Sequence, residues 1–338
     1  MGDTRNIAVV GGGIAGLAAA RVLIDRGHRV TVFDKGRGPG GRASTRRSEH
    51  GAFDHGAQYF TARDPGFAAT VDAWRAVGVA APWNGRFGTI RSGVFGPDRP
   101  KERLVGVPGM NAVVRAMGEG IEIRYGTRVD AIGRSGRGWS LRFGDGASQA
   151  DFDAVIVAVP SVQAAALLQE PAPELAAVAR TAEMDPCWTV MAAFESRIDV
   201  PFDGAKIEAG ISPHDTPLGW IARDSSKPGR AAERGDRWVL QASPRWSAAH
   251  LEHDPQWALG AMLDALRGLI GNVPAQSHAS AHRWRYASVR EPVGTPCLTD
   301  GLSLAVCGDW LLHARIEAAW LSGTAAGRAI SGRSAGRT

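Results

Sequence analysis

The apolar positions of this chain fall into alternating short runs and helical rhythms. Four consecutive apolar residues, Ile7, Ala8, Val9 and Val10, run into Gly11-Gly12-Gly13-Ile14-Ala15-Gly16. Leu17, Ala20, Leu23 and Ile24 then recur at helical spacing up to Gly27. A second strand, residues 29–33, delivers Asp34. The same periodicity predicts helices over 67–77, from within 106–111 to about 117, over 161–180, over 255–270, and from Arg315 onward. Short strands are expected at 121–124, 127–132, 139–143, 150–153 and 302–306, with Gly144-Asp145-Gly146 turning a hairpin between two of them. The uninterrupted run from Asp153 to Pro160 predicts a parallel strand covered on both faces.

The opening unit is strand, Gly-x-Gly-x-x-Gly, helix, strand, acid, the arrangement that binds a dinucleotide. Gly11 can take the tight turn, Gly13 lets backbone approach a diphosphate, and Gly16 lets the helix pack closely on the strand. The helix N-terminus offers free N–H groups and a partial positive charge. Asp34 is placed to accept from ribose hydroxyls. An ordinary glycine-rich turn would not need that acid. Lys35, Arg37 and Arg42 make the following glycine-rich loop cationic. Residues 51–61 interleave small residues with amide and aromatic groups, which suits backbone lying against a planar ring.

Composition narrows the class. The 338 residues are 44% apolar and 22% charged, normal for a globular protein of one or two domains. The net charge of +5 is small for this length and its basic residues are scattered, which disfavours nucleic acid as a partner. Only four of the 39 basic residues are lysine, a skew that points to a GC-rich, bacterial coding sequence. Cys187, Cys297 and Cys307 are too few and too scattered for a disulfide framework or metal cluster, so a reducing cytoplasm and no metal are expected. His250 and His253 have no further ligand types near them in sequence and read as surface residues. No stretch reads as a membrane span, because the apolar run at 7–24 divides into strand and helix. Six of eleven tryptophans lie between 161 and 296. Trp257 reads as core on a helix, while Trp188, Trp220, Trp238 and Trp284 sit on expected strands, where one or two could line a flat pocket.

These residues carry a resemblance. Asp34-Lys35 followed by Gly40-Gly41-Arg42 resembles the second signature of the FAD-dependent amine-oxidase superfamily. The stretch 56–64 (Gly-Ala-Gln-Tyr-Phe-Thr-Ala-Arg-Asp) is similar to the renalase group within it, as are segments 184–190, 220–228, 241–247 and 282–287. The resemblance implies an α/β fold: a Rossmann-type FAD-binding domain (1–64, 105–160 and 297–332) with an interleaved mixed-sheet α+β substrate domain (65–104 and 161–296) and a frayed tail at 333–338. It implies non-covalent FAD. The expected contacts are Gly11, Gly13, Ile14, Ala15, Gly16, Asp34, Lys35, Gly41, Arg42, Gln58, Tyr59 and Phe60, with Val129 at the adenine. Gly308 and Asp309 are expected at the ribityl and phosphate part, with Glu317 and Ala318 in the helix aimed at the flavin edge.

The activity implied is oxidation of the 2- and 6-dihydro isomers of NAD(P)H by hydride transfer to flavin N5, with dioxygen reduced to hydrogen peroxide. No acid–base residue is strictly required, so none is named as catalytic. Trp188, Arg223, Asp224, Gln241 and Trp284 are the expected substrate contacts, Gln241 standing where many members of the group carry histidine. The strand at 189–194 lacks the lysine that amine oxidases place near N5. An amine oxidase and a flavin-binding module without turnover are the alternatives.

Overall fold

The computed structural model describes residues 4–136, 138–208, 216–230 and 235–332. The expected tail at 333–338 lies outside the described residues. Asn6–Val10 is the centre of a six-stranded sheet, paired in parallel with Arg29–Phe33 on one side and Ala154–Val157 on the other. Glu122–Arg124 and Leu304–Val306 extend it in parallel, and Leu298–Thr299 closes one edge antiparallel.

Alternate residues of the central strands point to opposite faces. Ile7, Val9, Ala154 and Ile156 pack into a cluster with Leu17 and Leu23 of the helix Ile14–Ile24 and Ala326 and Ile330 of the helix Ile316–Ser331. Ala8, Val10, Val155 and Val157 pack instead with Trp139, Leu141 and Phe152. Those three belong to a separate antiparallel sheet of Val129–Ser135, Gly138–Phe143 and Ser148–Phe152. The sheet is therefore covered on both faces, which is why its strands read as unbroken apolar runs. The helix expected over 161–180 is two helices, Ser161–Leu168 and Pro173–Thr181. Proline at the start of the second cannot donate the hydrogen bond that would continue the first.

A seven-stranded sheet stands across from it. Its order is Gln276–Glu291, Glu183–Phe194, Asp236–Ala242, Leu218–Arg223, Gly204–Glu208, Phe87–Arg91 and Val94–Pro97. All its pairs are antiparallel except Gly204–Glu208 with Phe87–Arg91. The helix Pro255–Ile270 covers one face, burying Ala258, Met262 and Leu266 against Trp188, Val190, Trp238 and Leu240. The segment 65–104 divides its packing: 87–97 joins this sheet, while the helix Pro65–Ala76 buries Phe67, Val71 and Trp74 in the cluster of the helix Ile14–Ile24. Trp257, expected in the core, is 43% exposed and stacks on Trp246 at a centroid distance of 5.6 Å. No helix among the described residues is long and apolar enough to cross a membrane.

Candidate functional site

A cavity of about 580 Å³ lies beyond the carboxyl ends of three adjacent parallel strands. Gly13 follows Asn6–Val10, Ala158 and Val159 follow Ala154–Val157, and Gly308 and Asp309 follow Leu304–Val306; all five line it. This is where open α/β sheets hold ligands. Glycine-rich turn and Gly-Asp pair, nearly three hundred positions apart in sequence, thus face one space.

The residues fit a dinucleotide cofactor. A methyl group on Gly16 would meet the Gly11 carbonyl at 1.9 Å, and one on Gly11 would meet the Ala158 carbonyl at 2.4 Å, so both positions need glycine for packing. Gly13 is different: a methyl there would meet nothing within 4 Å. Gly13 is the N-cap of the helix Ile14–Ile24, with no side chain capping the helix and no acid in its first turn. Its first amides are left to an external acceptor, and Ile14 and Ala15 border the cavity. A second helix, Ile316–Ser331, also starts at the cavity without a side-chain cap, and Ile316 and Ala319 line the wall. The two helices pack closely, since a methyl on Gly323 would sit 2.0 Å from the Ala15 carbonyl. Arg42 crosses to Asp309 with two hydrogen bonds of 2.6 and 3.0 Å. A Rossmann-type turn, two helix N-termini and a cation are a donor set that would hold FAD phosphates and ring, with Asp309 beside them as an acceptor.

Other residues expected at the cofactor are placed beside this space, outside its lining. Asp34 accepts from the Gly12 and Gly36 amides, at 2.6 Å each, so its carboxylate braces the two glycine loops and keeps further lone pairs for a ribose. Lys35 is exposed, and Gly41 lies behind Gly13. Phe60 is buried against Phe67 and Trp74, and Val129 starts its strand inside the second apolar cluster. Glu317 points away: it accepts from the amides of Arg63 and Asp64, the latter at 2.7 Å, and pairs with Arg315 at 2.5 Å. Ala318 is buried beside it.

The opposite wall comes from the seven-stranded sheet. Register places Lys206, Trp220, Gln241, Thr189 and His282 directly opposite one another on five successive strands. Lys206, Trp220 and Gln241 of that row line the cavity, together with Trp284 and Cys187. Gln241 donates to the Gly56 carbonyl at 2.7 Å, and Trp284 donates to the His55 carbonyl at 2.9 Å. Tyr59 completes an aromatic wall, its ring 5.8 Å from Trp220. Burial pushes the Cys187 thiol up to about 11, so it stays protonated.

Three expected substrate contacts are elsewhere. Trp188 is fully buried on the far face of the sheet and donates to the His250 carbonyl at 3.0 Å. Strand alternation gives the cavity to Cys187 and sends its neighbour to the core. Trp238 is likewise core. Arg223 is fully buried between Asp236, at 2.6 Å, and Asp203, at 3.3 Å. Asp224 is also fully buried, in a group with Lys227, Arg230 and Asp54. Burial pushes its carboxyl up, but Lys227 and Arg230 outweigh that and hold it below its usual range. The strand at 189–194 has no lysine; lysine reaches the site from elsewhere, Lys206 from the strand Gly204–Glu208 on the wall and Lys227, after the turn Asp224–Ser226, behind Gln58.

Behind Trp284 lie two imidazoles, His55 buried and His282 half-buried. His55 stacks on it at 5.1 Å and His282 meets it edge-on at 4.4 Å. Burial lowers His55 to about 3, with His282 and Arg46 adding to the shift, and burial with Arg46 lowers His282 to about 4. Neither was a sequence candidate; the signal would have been the register of the strand Gln276–Glu291 that brings His282 to His55, which its polar sequence does not reveal. His250 and His253 pack with Trp246 and Trp257, and no group of three or more metal-ligating residues occurs among the described residues.

Comparison with known proteins agrees with this donor set. Residues 9–74 match a family model described as an NAD(P)-binding Rossmann-like domain, and residues 84–331 match one described as flavin containing amine oxidoreductase. A carotenoid phi-ring synthase from Streptomyces griseus is 58% identical over 43 residues, 13% of this chain and 8% of that protein. A 4,4'-diapophytoene desaturase from Staphylococcus haemolyticus is 41% identical over 71 residues, 21% of this chain and 13% of that protein. The chain thus matches only a small part of these relatives' length. Two solved structures share the whole fold. One, from Exiguobacterium sp. 255-15 and assigned as a protoporphyrinogen oxidase, has a TM-score of 0.78 at 15% identity, covering 98% of this chain and 99% of that one. Cyclohexylamine oxidase from Brevibacterium oxydans IH-35A has a TM-score of 0.72 at 14% identity, with the same coverages of 98% and 99%.

Proposed function

The chain belongs to the flavin-containing amine oxidoreductase family, and from that premise we propose that it is an FAD-dependent oxidase of the 2- and 6-dihydro isomers of NAD(P)H. The charge of the cavity carries this reading. Arg42, Lys206, Asp309 and Arg315 line it, and the one carboxylate among these lining residues is already engaged by Arg42 at 2.6 Å, while Glu317 and Glu208, outside the lining, pair with Arg315 at 2.5 Å and Lys206 at 3.1 Å. A protonated amine would find no unpaired carboxylate among the described residues of the lining. A dihydropyridine is uncharged at its reacting ring and brings phosphates that the cations favour.

Bound FAD would supply the hydride acceptor and pass the electrons to dioxygen, giving NAD(P)+ and hydrogen peroxide. The protein's part is position and exclusion. The helices Ile14–Ile24 and Ile316–Ser331 present their N-terminal amides to the cofactor side. Trp220, Tyr59 and Trp284 offer flat faces to a planar donor, and Gln241, anchored on Gly56, fixes the wall between them. The protonated Cys187 thiol adds neither charge nor a nucleophile.

Anaerobic mixing of the FAD-loaded protein with borohydride-generated dihydronicotinamide isomers tests the proposal. Rapid bleaching of the flavin by these isomers, and none by cyclohexylamine or a polyamine, is the expected outcome. Bleaching by an amine alone would replace it with an amine oxidase. A flavin that neither donor bleaches would mark a binding module without turnover.

A further inference from the structure

Behind the cavity wall lies a buried group of four charges that the proposed reaction does not use. Asp54, Asp224, Lys227 and Arg230 are each 3% exposed or less. Lys227 Nζ donates to Asp224 at 2.8 Å, to Asp54 at 3.2 Å and to the Gln58 side-chain oxygen at 3.2 Å. Arg230 pairs with Asp54 and donates to the carbonyls of Gly106, at 2.7 Å, and Pro108, at 2.8 Å. Asp54 also accepts from Thr45 and from the Met110 amide. The Gln58 amide group is thereby fixed, its oxygen to the ammonium and its nitrogen to the carbonyls of Asp54 and Gly56. Gln58, Gly56 and Tyr59 line the cavity, so the ammonium sits one side chain behind the wall.

Two carboxylates and two cations sum to zero. Burying them is costly, and replacing such a group with apolar residues is often neutral or stabilising, so stability alone is a weak reason for it. Its place gives a stronger one. A flavin taking up two electrons and one proton goes from a neutral ring to an anionic one. In the poorly screened interior, a charge one side chain behind the wall would act on that change.

We propose that the charge balance of the quartet Asp54, Asp224, Lys227 and Arg230, held behind the cavity-lining segment 56–59, sets the reduction potential of the bound flavin. This rests on the flavin and not on which donor reduces it. Net positive charge behind the loop stabilises the anionic reduced ring and raises the potential, and net negative charge lowers it.

Asp224→Asn is the test variant. Its Oδ1 keeps the contacts to Lys227 and to the Asp54 amide, and the new NH2 replaces Oδ2, which has no hydrogen-bond partner among the described residues. The quartet then carries one net positive charge. Reductive titration of the FAD-bound protein with xanthine and xanthine oxidase against a reference dye reads the potential without any nicotinamide or amine donor. Asp224→Asn should favour reduction about tenfold, ~30 mV for two electrons. The charge-neutral double variant Asp224→Asn/Lys227→Met should return to within about threefold of the parent, although three hydrogen bonds are lost. Lys227→Met alone should shift the other way. A purely structural quartet would lower melting temperatures without ordering the potentials by net charge. An unchanged potential in Asp224→Asn, or a double variant displaced as far as the single, overturns the proposal. Failure of dihydronicotinamides to bleach the flavin would leave it standing.

Discussion

A single methyl group separates the roles of Gly13 and Gly16. At Gly16 it would be driven to 1.9 Å from a backbone carbonyl that cannot move without the turn, whereas at Gly13 it would project into open space. Gly16→Ala is therefore expected to lose several kcal/mol, on the scale of a severe overpacking defect. Gly13→Ala should stay within about 1 kcal/mol of the parent yet bind FAD at least about tenfold more weakly, ~1.4 kcal/mol. Thermal unfolding of the two apoproteins beside FAD titration separates these outcomes, and equal melting losses would refute the distinction. Both glycines were legible from spacing alone, because the turn's geometry is local. The substrate wall was not. Cys187 and Trp188 are adjacent in a run that is apolar on both faces, so alternation gave no parity, and the larger aromatic drew attention to the wrong face. Arg223 and Asp224 looked available for the same reason: charge in sequence carries no sign of the buried partners, Asp236 and Lys227, that neutralise it.

Elements were legible where one face is consistently apolar and silent where it is not. The strands 6–10, 29–33 and 154–157 stood out because both their faces are covered. The sixteen-residue strand Gln276–Glu291 was expected only around Trp284 and its extent did not stand out, since it holds five polar or charged residues for each aromatic one and takes its register from Glu183–Phe194. That strand carries His282 against His55 of the segment following Gly51–Asp54, with Arg46 beside both. Both imidazoles are held neutral, at about 4 and about 3, against an ordinary value of 6.5. The unfolded chain binds these protons more readily than the folded one. Their contribution is thus full above pH 6.5 and shrinks as pH falls towards 4 and then 3. Melting temperature should drop through that window, and His282→Gln, which cannot charge, should flatten part of the slope; an identical slope would show that these imidazoles are not its source. Glu317 makes a second inter-element tie, holding the start of the helix Ile316–Ser331 to the amides that precede the helix Pro65–Ala76. Glu317→Ala strands those amides and should cost about 1–3 kcal/mol, read as a lower melting temperature in the apoprotein.

At the scale of the molecule, the site exists only because both ends of the chain close on it. Arg42 and Asp309 are 267 positions apart and meet in two hydrogen bonds in the cavity lining. No periodicity could have shown that contact; the paired glycine signatures at opposite ends pointed to it only through their likeness to a known fold. What the assembled molecule adds is a sign of charge. Arg42 and Arg315 come from the cofactor side and Lys206 from the sheet wall, where Glu208 holds it at 3.1 Å. Lys206 is exposed, so its field is screened by salt over a Debye length of about 8 Å at physiological ionic strength. Flavin reduction by a phosphate-bearing dihydronicotinamide nucleotide should consequently slow as salt rises, while reduction by the matching riboside, which lacks phosphate, should not. Lys206→Ala should weaken the salt dependence for the nucleotide and leave the riboside rate within about twofold, since the lysine acts on the incoming charge and not on the ring. Stopped-flow bleaching at several ionic strengths measures both. Equal salt slopes for nucleotide and riboside would mean that the cations serve the cofactor alone, and that the charge of the wall does not select the donor.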